Sequence, residues 1–339
     1  MDPASALEEI ALLLEGALAN PFKAKAFRKA LAVVEQLPPE ALAAKVADGS
    51  LRRAPGIGDT TWQVISQAAE GRVPDYLADL RAKAGTDAVA PTGLRAELRG
   101  DLHSHSEWSD GTTSIAAMAR AAAAAGLEYV ALTDHSPSLR VANGLTAERL
   151  ADQLEVVEAL NSGGDLGVRI LSGIEVDILE DGSLDQTPEM LARLDVVVAS
   201  VHSKLRSPRA AMTERMLRAV ADPHTDVLGH CTGRLVQGSR GTRPQSEFDA
   251  EAVFAACAER GVAVEVNSRP ERQDPPDDLI AIALAAGCLF SIDSDGHAPG
   301  HYGFLRLGAE RAEAAGIPAE RIVTTWPLER LLEWTHRER

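Results

Sequence analysis

Histidines and carboxylates stand at the ends of most of seven short apolar stretches in this chain. Imidazole nitrogen and carboxylate oxygen are common ligands of divalent metal ions in proteins. These polar ends lie at residues 101–105, 133–135, 173–175, 200–202, 228–230, 265–267 and 293–297. Because they are far apart along the chain, they can form one metal site only where a fold gathers successive strand ends, as a barrel does at its mouth.

Two pairs of these residues are separated by a single residue. His103 and His105 form the first pair, and in an extended strand their side chains project to the same side, as two ligands of one ion would. Asp295 and His297 repeat this spacing after the last stretch. The spacing leaves open whether Asp293 binds a metal ion in place of Asp295.

Three further candidates stand within or directly after buried stretches. Glu175 interrupts an apolar strand, where a carboxylate needs a metal ion or a basic partner. His202 and His230 each end an apolar stretch, and a core histidine with internal hydrogen bonds is the alternative for either one alone. Asp177 is predicted to accept a hydrogen bond from a ligand imidazole.

The complete prediction is a set of six imidazoles and three carboxylates. The predicted metal ligands are His103, His105, Asp110, His135, Glu175, His202, His230, Asp295 and His297. Mixed nitrogen and oxygen ligands without thiolate favour Zn²⁺, Mn²⁺ or Fe²⁺. Since one ion binds about four protein ligands, we expect two or three divalent ions. Clustered ions of this kind activate water and hold phosphoryl oxygens, which predicts hydrolysis of phosphate esters.

Basic residues that follow the strand ends are candidate contacts for a substrate phosphate. These residues are Lys204, Arg234, Arg269 and Arg272. A guanidinium group can bind two phosphate oxygens, although a solvated surface charge is the alternative for each residue. The predicted catalytic residues are Glu175, His202, His297, Arg234 and Arg272. His202 and His297 are candidate proton donors to the leaving oxygen only if they do not bind metal.

Strand-like and helix-like segments alternate from about residue 96 onward. The predicted strands cover residues 97–102, 129–133, 169–174, 196–201, 226–229, 262–266 and 288–292. Short apolar strands separated by helices indicate a parallel sheet with both faces covered. Candidate ligands at nearly every strand end favour a closed α/β barrel over a doubly wound open sheet, whose outer strands would not reach one site.

The chain before the barrel is predicted to be helical. We expect a small all-α domain at residues 1–85, a linker at 86–96 and the barrel at 97–339. Ser5 is the predicted cap of the first helix.

Composition limits the classes of protein that the chain can belong to. It has 339 residues and a net charge of −16, with 45% hydrophobic residues. The acidic balance disfavours nucleic acid binding except where basic residues cluster. No apolar stretch approaches the roughly 20 residues that span a membrane. The first residues do not resemble a signal peptide, so we predict a cytoplasmic protein with no membrane partner.

The polar strand ends resemble those of the PHP family (polymerase and histidinol phosphatase) of metal-dependent phosphoesterases, over residues 97 to about 335. The resemblance implies a distorted (β/α)₇ barrel with up to three metal ions at its mouth. It implies one ion held by His103, His105, Glu175 and Asp295, a second by Glu175, His202 and His230, and a third by Asp110, His135 and His297.

Four segments are similar to parts of family-X DNA polymerases, chiefly the bacterial ones. The sequences at residues 230–234 and 265–272 resemble segments of their PHP domain, and residues 20–30 and 55–58 resemble the helix-hairpin-helix domain of the polymerase β type. This resemblance implies single-stranded DNA or DNA ends as a partner of the N-terminal domain. The implied contacts are Lys23, Lys25, Arg28, Lys29, Gly56 and Gly58.

The chain also departs from these polymerases. No polymerase palm fits between the helical domain and the barrel, so nucleotide addition is excluded. Val64 stands where polymerase β has its lyase lysine, and Thr60 replaces another phosphate-binding lysine. Residues 1–91 contain ten basic and twelve acidic side chains. A helical domain that only packs on the barrel or binds a protein is therefore the alternative to a DNA-binding domain.

The leading hypothesis is a nuclease or end-processing phosphatase that acts on DNA or short oligonucleotides. The alternative within the same chemistry is a small-molecule phosphomonoesterase such as histidinol-phosphate phosphatase. A non-catalytic scaffold for DNA or a repair partner is the alternative from another class, and the full ligand set argues against it.

Overall fold

The chain folds as two compact units, Met1–Ala90 and Pro91–Arg339. The computed structural model describes residues 1–84, 91–164, 166–238 and 241–337. Residues 86–90 of the predicted linker lie outside these described residues. The following residues, 91–96, belong to the second unit, where Leu94–Glu97 form a helical turn.

The first unit is a bundle of helices, as predicted. Its α-helices are α1 (Pro3–Gly16), α2 (Pro21–Glu35), α3 (Pro39–Ala47), α4 (Asp59–Ala69) and α5 (Asp75–Ala84). Apolar residues three or four apart on these helices, including Leu7, Ile10, Phe27, Val34 and Ile65, pack into one core.

The first helix begins before the predicted cap. Asp2 is the cap residue, because its side chain accepts a hydrogen bond from the Ser5 backbone N–H at 3.1 Å. Pro3 takes the first helical position, where a missing N–H is tolerated. Ser5 therefore lies inside the helix and donates to the cap.

Seven parallel strands form the sheet of the second unit. The strands are β1 (Gly100–Ser104), β2 (Tyr129–Leu132), β3 (Arg169–Asp177), β4 (Val196–Ser200), β5 (Val227–Leu228), β6 (Ala263–Asn267) and β7 (Leu289–Asp293). They are hydrogen-bonded in the order of the sequence, from β1 to β7. The first strand begins three residues later than predicted, because the helical turn at Leu94–Glu97 precedes it.

Helices accompany this sheet, and all of the described ones except the last pack in its outer layer. They are α6 (Leu94–Glu97), α7 (Ile115–Ala124), α8 (Ala147–Ser162), α9 (Pro188–Leu191), α10 (Arg209–Ala221), α11 (Ala250–Arg260), α12 (Asp277–Ala286), α13 (Leu305–Ala314) and α14 (Leu328–Thr335). None of the described helices is both long and apolar enough to cross a bilayer.

The sheet closes into a nearly complete barrel, which confirms the predicted α/β barrel and excludes the open sheet. A parallel bridge joins Ser104 to Gly296, beyond the end of β7. Deeper in the barrel, a side chain takes the place of a backbone acceptor between β1 and β7: Asp293 Oδ1 accepts a hydrogen bond from the Leu102 N–H at 2.7 Å. Closure places all seven carboxyl ends of the strands around one mouth.

The barrel interior is apolar beneath the mouth. Val196 and Val198 of β4 point into an inner cluster completed by Trp326 and Trp334 from the C-terminal segment. Val197, between them, packs in the outer layer against the helices. The alternation of strand side chains thus fills both layers and leaves the polar strand ends as the walls of the mouth.

Candidate metal centre

The structure brings all nine predicted ligands together at the mouth of the barrel. Each lies near the carboxyl end of a strand or in the loop that follows it, because the hydrophobic pattern ends each strand at that level. The only exposed side chain among them is that of Asp110, which is 38% exposed in the loop after β1.

Glu175, 1% exposed, lies at the centre of the cluster. Its Oε1 atom is 2.8 Å from His230 Nε2 and 3.1 Å from His202 Nε2. Its Oε2 atom is 2.8 Å from His135 Nδ1 and 3.3 Å from His103 Nε2. One carboxylate therefore faces imidazoles at or just beyond the ends of four different strands.

The possible ligand atoms fall into four overlapping groups. Within each group the possible ligand atoms lie within 4.8 Å of one another. The first group is His105, Asp110, His135 and His297, and the second is His103, His105 and Asp295. The third is His103, Glu175 and His230, and the fourth is His135, Glu175 and His202. The first group contains the third ligand set implied by the resemblance, with His105 added. The second set differs, because His202 and His230 fall into separate groups that share Glu175.

Several buried polar atoms in this cluster have no hydrogen-bond partner. They are Nε2 of His103, both ring nitrogens of His105, Nδ1 of His135, Nδ1 of His230, Oε2 of Glu175 and Nε2 of His202, whose short contacts with one another lack hydrogen-bond geometry. A buried polar atom without a partner is costly, and divalent cations would give most of these atoms one, because each imidazole binds a metal ion through one ring nitrogen. The donor set therefore fits divalent metal ions that prefer nitrogen and oxygen ligands.

Carboxylates behind the cluster orient two of the imidazoles. Glu265 Oε1 lies 2.6 Å from His103 Nδ1, and Asp177 pairs with Nδ1 of His202. In both imidazoles this contact leaves Nε2 facing Glu175. Such pairs fix the ring orientation and make the imidazole a stronger ligand. Asp177 makes the contact with an imidazole that its predicted role requires. The corresponding contact of Glu265 was not predicted, although a carboxylate in a buried strand was a signal for it.

Asp295, rather than Asp293, carries the carboxylate that faces the cluster. Its Oδ1 atom is 3.6 Å from His105 Nε2, whereas Asp293 is engaged in barrel closure. Burial alone would raise the pKa of Asp295, but the guanidinium groups of Arg272 and Arg269 lower it well below its usual range. Asp295 is therefore anionic, as a metal ligand must be.

The two arginines are themselves buried against the ligands. Arg272 Nε donates to Asp295 Oδ2 at 2.8 Å, and Arg269 Nη1 donates to the Asp295 carbonyl oxygen at 3.0 Å. The same Arg269 nitrogen lies 2.9 Å from His297 Nδ1. Each arginine is 8% exposed. Both arginines therefore position candidate ligands of the cluster.

A cleft of about 320 Å³ opens above the ligands. Its lining combines ligand residues with Arg243, Arg269 and Arg272 and with the apolar side chains of Leu139, Val141, Ala142 and Val201. Arg243 was not predicted, because it lies in a loop well beyond its strand end. Its Nε donates to the Gly233 carbonyl oxygen at 2.7 Å.

Two predicted phosphate contacts do not line this cleft. Arg234 Nε donates to the Arg272 carbonyl oxygen at 3.1 Å, and its guanidinium also binds the Gln273 carbonyl. Lys204 lies 3.8 Å from Glu180, and both side chains are exposed. In this structure Arg234 supports the loop that carries Arg272, and Lys204 faces Glu180, so neither side chain is placed for the contact predicted of it.

Burial and neighbouring charge act in opposite directions on the ligand imidazoles. Burial lowers the pKa of His135, but the carboxylates of Glu175 and Asp110 raise it to about 10. Burial likewise opposes the charge on His103, yet Glu175 and Glu265 hold its pKa well above the usual range. In the metal-free protein these imidazoles therefore bind protons with which a metal ion must compete.

Metal binding is expected to release protons and to strengthen as the pH rises from about 6 to about 9. An imidazole binds metal only without its proton, and raised pKa values keep the proton on the ring through this interval. Calorimetric titration of the metal-free protein with Zn²⁺ or Mn²⁺, in two buffers with different enthalpies of ionisation, measures the number of protons released. A binding heat that is the same in both buffers would contradict this expectation.

The first unit offers fewer DNA contacts than predicted. Arg28 binds the buried Glu15 through two hydrogen bonds, of 2.9 and 2.7 Å. The Gly58 N–H donates to Thr61 Oγ1 at 2.9 Å. Neither group is therefore available to a phosphate without breaking these bonds. Val64 is buried in the helical core.

The remaining predicted contacts lie on or beside α2. Lys23, Lys25 and Lys29 are exposed on this helix. Gly56 has a φ of +96°, and a Cβ atom there would lie 3.2 Å from Val33 Cγ2, so the turn packs closely against α2. The three lysines and this turn are the possible DNA contacts that the structure leaves open.

The chain is similar to proteins of known family. Residues 101–269 match the PHP domain family, and residues 1–72 match a helix-hairpin-helix domain family. A Bacillus subtilis protein, DNA polymerase/3'-5' exonuclease PolX, is 41% identical over 201 residues, which are 59% of this chain. The chain covers 34% of that relative's length, about a third.

Two shorter proteins align with this chain over almost their whole length. A probable phosphatase of Edwardsiella ictaluri is 31% identical over 247 residues, which span 70% of this chain and 94% of the relative. The crystal structure of histidinol phosphate phosphatase from Lactococcus lactis, complexed with zinc, L-histidinol and phosphate, is 18% identical with a TM-score of 0.47. That similarity covers 65% of this chain and 94% of the other.

Proposed function

This chain belongs to the PHP family, and on that premise we propose that it is a phosphoesterase that binds two or three divalent metal ions. The observation that supports this proposal most strongly is the set of buried ligand atoms without hydrogen-bond partners around Glu175. Zn²⁺, Mn²⁺ and Fe²⁺ all suit this donor set.

The residues that would hold the ions are the four groups at the barrel mouth. Bound there, the ions would lower the pKa of a water molecule and neutralise charge on phosphoryl oxygens. His202 and His297 belong to these groups, so we do not assign either of them the role of proton donor. Glu175 would connect two of the four groups, because it belongs to both.

The arginines supply the positive charge of the cleft. Arg243, Arg269 and Arg272 all contribute to its lining, and a guanidinium group can bind two oxygens of a phosphate. Arg272 keeps Asp295 ionised, and Arg269 holds both Asp295 and His297 in place. These residues would orient the ester and stabilise the charge that develops on its oxygens.

We propose that the substrate is a DNA end or a short oligonucleotide. The helix-hairpin-helix domain match, the three exposed lysines on α2 and the relative named as a 3'-5' exonuclease all favour this class. The net charge of −16 makes local clustering of these lysines necessary for any attraction to a phosphate backbone.

A small-molecule phosphomonoesterase is the second candidate, and two observations favour it. The cleft of about 320 Å³ is near the lower end of the usual range for ligand pockets. In addition, the relative named as a probable phosphatase is covered over 94% of its length.

One experiment separates the two candidates. The metal-loaded protein is incubated with a labelled single-stranded oligonucleotide and, in parallel, with histidinol phosphate. We expect stepwise shortening of the oligonucleotide, because an end-acting nuclease removes one unit at a time. Phosphate release from histidinol phosphate alone would contradict the nuclease and support the second candidate.

A charge variant tests the role of the helical unit. Replacing Lys23, Lys25 and Lys29 together by alanine is expected to raise KM for the oligonucleotide. It should also make binding less sensitive to salt: the slope of log K against log salt concentration should become shallower by about 0.7 for each phosphate that a lysine no longer neutralises. Hydrolysis of a mononucleotide ester is the matched control and should not change. An unchanged KM for the oligonucleotide would show that these lysines do not bind it.

A further inference from the structure

The loop after β2 presents apolar side chains at the mouth of the metal cleft. Val141 is 95% exposed, and with Leu139 and Ala142 it contributes to the cleft lining. An apolar side chain held almost entirely in water beside a cluster of charged residues has no stabilising role in the fold. A bound molecule that covers this side chain would gain from removing it from water.

Hydrogen bonds tie this loop to the loop after β1. Asn143 Nδ2 donates to the Trp108 carbonyl oxygen at 3.0 Å, and Arg149 Nη2 donates to the same oxygen at 2.5 Å. Trp108 lies two residues before the metal-ligand candidate Asp110. The apolar loop is thus fixed in position relative to one member of the ligand cluster.

Close backbone packing holds the base of the loop. A Cβ atom at Gly144 would lie 1.9 Å from the Ser136 carbonyl oxygen, so only glycine fits there. The next residue, Leu145, donates its N–H to the His135 carbonyl oxygen at 2.7 Å. The loop is therefore built to present its tip in one place, and the exposure of Val141 does not come from a loose loop.

The order of the strands places this loop opposite the cationic residues. Arg269 and Arg272 follow β6, and in a closed sheet ordered from β1 to β7 the strands β2 and β6 lie on opposite sides of the barrel. The ligand cluster occupies the mouth between them. A molecule in the cleft can therefore bring an anionic group to the arginines and ions and an apolar group to Val141.

We propose that residues 139–142 form an apolar subsite for the nucleobase of the terminal nucleotide, a proposal that rests on the proposed phosphoesterase function. A nucleoside phosphate has the matching chemistry, because its phosphate is anionic and the two faces of its base are apolar. The cleft of about 320 Å³ suits a single nucleotide. The site would thus bind the end of a strand, one nucleotide at a time.

Two phosphodiesters with the same leaving group and charge test this subsite. Thymidine 5′-(4-nitrophenyl phosphate) carries a nucleoside, and methyl 4-nitrophenyl phosphate carries none. In the metal-loaded full chain, Val141→Ser is expected to lower kcat/KM for the thymidine ester about tenfold, the range expected when an apolar group of the substrate no longer meets an apolar side chain. The same variant should leave kcat/KM for the methyl ester within about twofold.

Two further variants serve as controls. Val141→Ile keeps the apolar surface and should retain activity on both esters. Val156→Ser changes another partly exposed valine, 37% exposed on α8, and should change neither activity.

The remaining outcomes distinguish the failures. Equal losses on both esters would mean that Val141 acts on the metal centre and would overturn the subsite. Unchanged activity on both esters would also overturn it, and would point to a partner other than substrate for this loop. Absence of metal-dependent hydrolysis of both esters by the unmodified protein would instead overturn the proposed function, and the subsite with it.

Discussion

Replacing His103 and His105 together by alanine is expected to lower kcat/KM for phosphate ester hydrolysis by at least about 10³-fold. Both imidazoles are buried, and their Nε2 atoms have no hydrogen-bond partner inside the protein. Metal ions contribute several kcal/mol to charge stabilisation in hydrolases, and each 1.4 kcal/mol changes a rate about tenfold. Loss of two ligands that belong to three of the four groups should therefore remove most of the activity.

The fold is expected to survive this double substitution. The inner and outer apolar layers of the barrel do not include either imidazole. Metal content by mass spectrometry, kcat/KM and far-ultraviolet circular dichroism should therefore show a folded protein with less metal and little activity.

A second double variant is the matched control for the first. His224 and His336 pair with Asp222 and Asp195, outside the metal cluster, so replacing both by alanine should leave metal content and kcat/KM unchanged. Large loss of helical signal in the His103 and His105 variant would show instead that the ions hold the fold together.

Replacing Glu265 by glutamine is expected to weaken metal binding by about 10- to 100-fold, the usual cost of losing a carboxylate behind a ligand imidazole. Glu265 is fully buried, with one oxygen on His103 Nδ1 and the other accepting the His230 N–H. Glutamine keeps the shape, but it has only one acceptor oxygen for these two groups and no charge. His103 would then lose its fixed orientation and part of its basicity.

The measurement for Glu265→Gln is a metal titration of both affinity and kcat. A positioning residue should leave kcat close to normal once metal is saturating, whereas a direct ligand or catalytic residue should not. Glu259→Gln, on the exposed side of α11, is the matched control and should leave both quantities unchanged. Unaltered metal affinity in the Glu265 variant would show that His103 does not need this partner.

The barrel was predictable because each of its local features has a sequence pattern. Apolar strands of about five residues, separated by amphipathic helices, indicate a parallel sheet, and helices such as Ala147–Ser162 and Asp277–Ala286 lie between these strands. The start of the first strand was harder to predict. The chain before β1 forms a helical turn at Leu94–Glu97. The prediction placed the strand too early because no sequence pattern distinguishes four helical residues from the start of a strand.

Hydrogen-bond partners of the basic residues could not be predicted in the same way. Arg234 and Arg269 occupy similar places after strand ends, yet Arg234 binds backbone carbonyls and Arg269 binds ligand residues. Arg28 looks like part of a basic face, but the neighbouring helix supplies the buried Glu15. The partner of a long side chain depends on which backbone or carboxylate oxygens lie within its reach after folding.

The sequence by itself determined the types of the candidate ligands and their level along the barrel axis. Strand length and side-chain alternation fix that level locally, so His103, His105 and Glu175 could be assigned to the mouth from their positions alone. Tertiary structure decided how the ligands are shared. Barrel closure sets the distances between strands far apart in sequence, and it places Glu175 between four imidazoles and uses Asp293 to bind the Leu102 N–H.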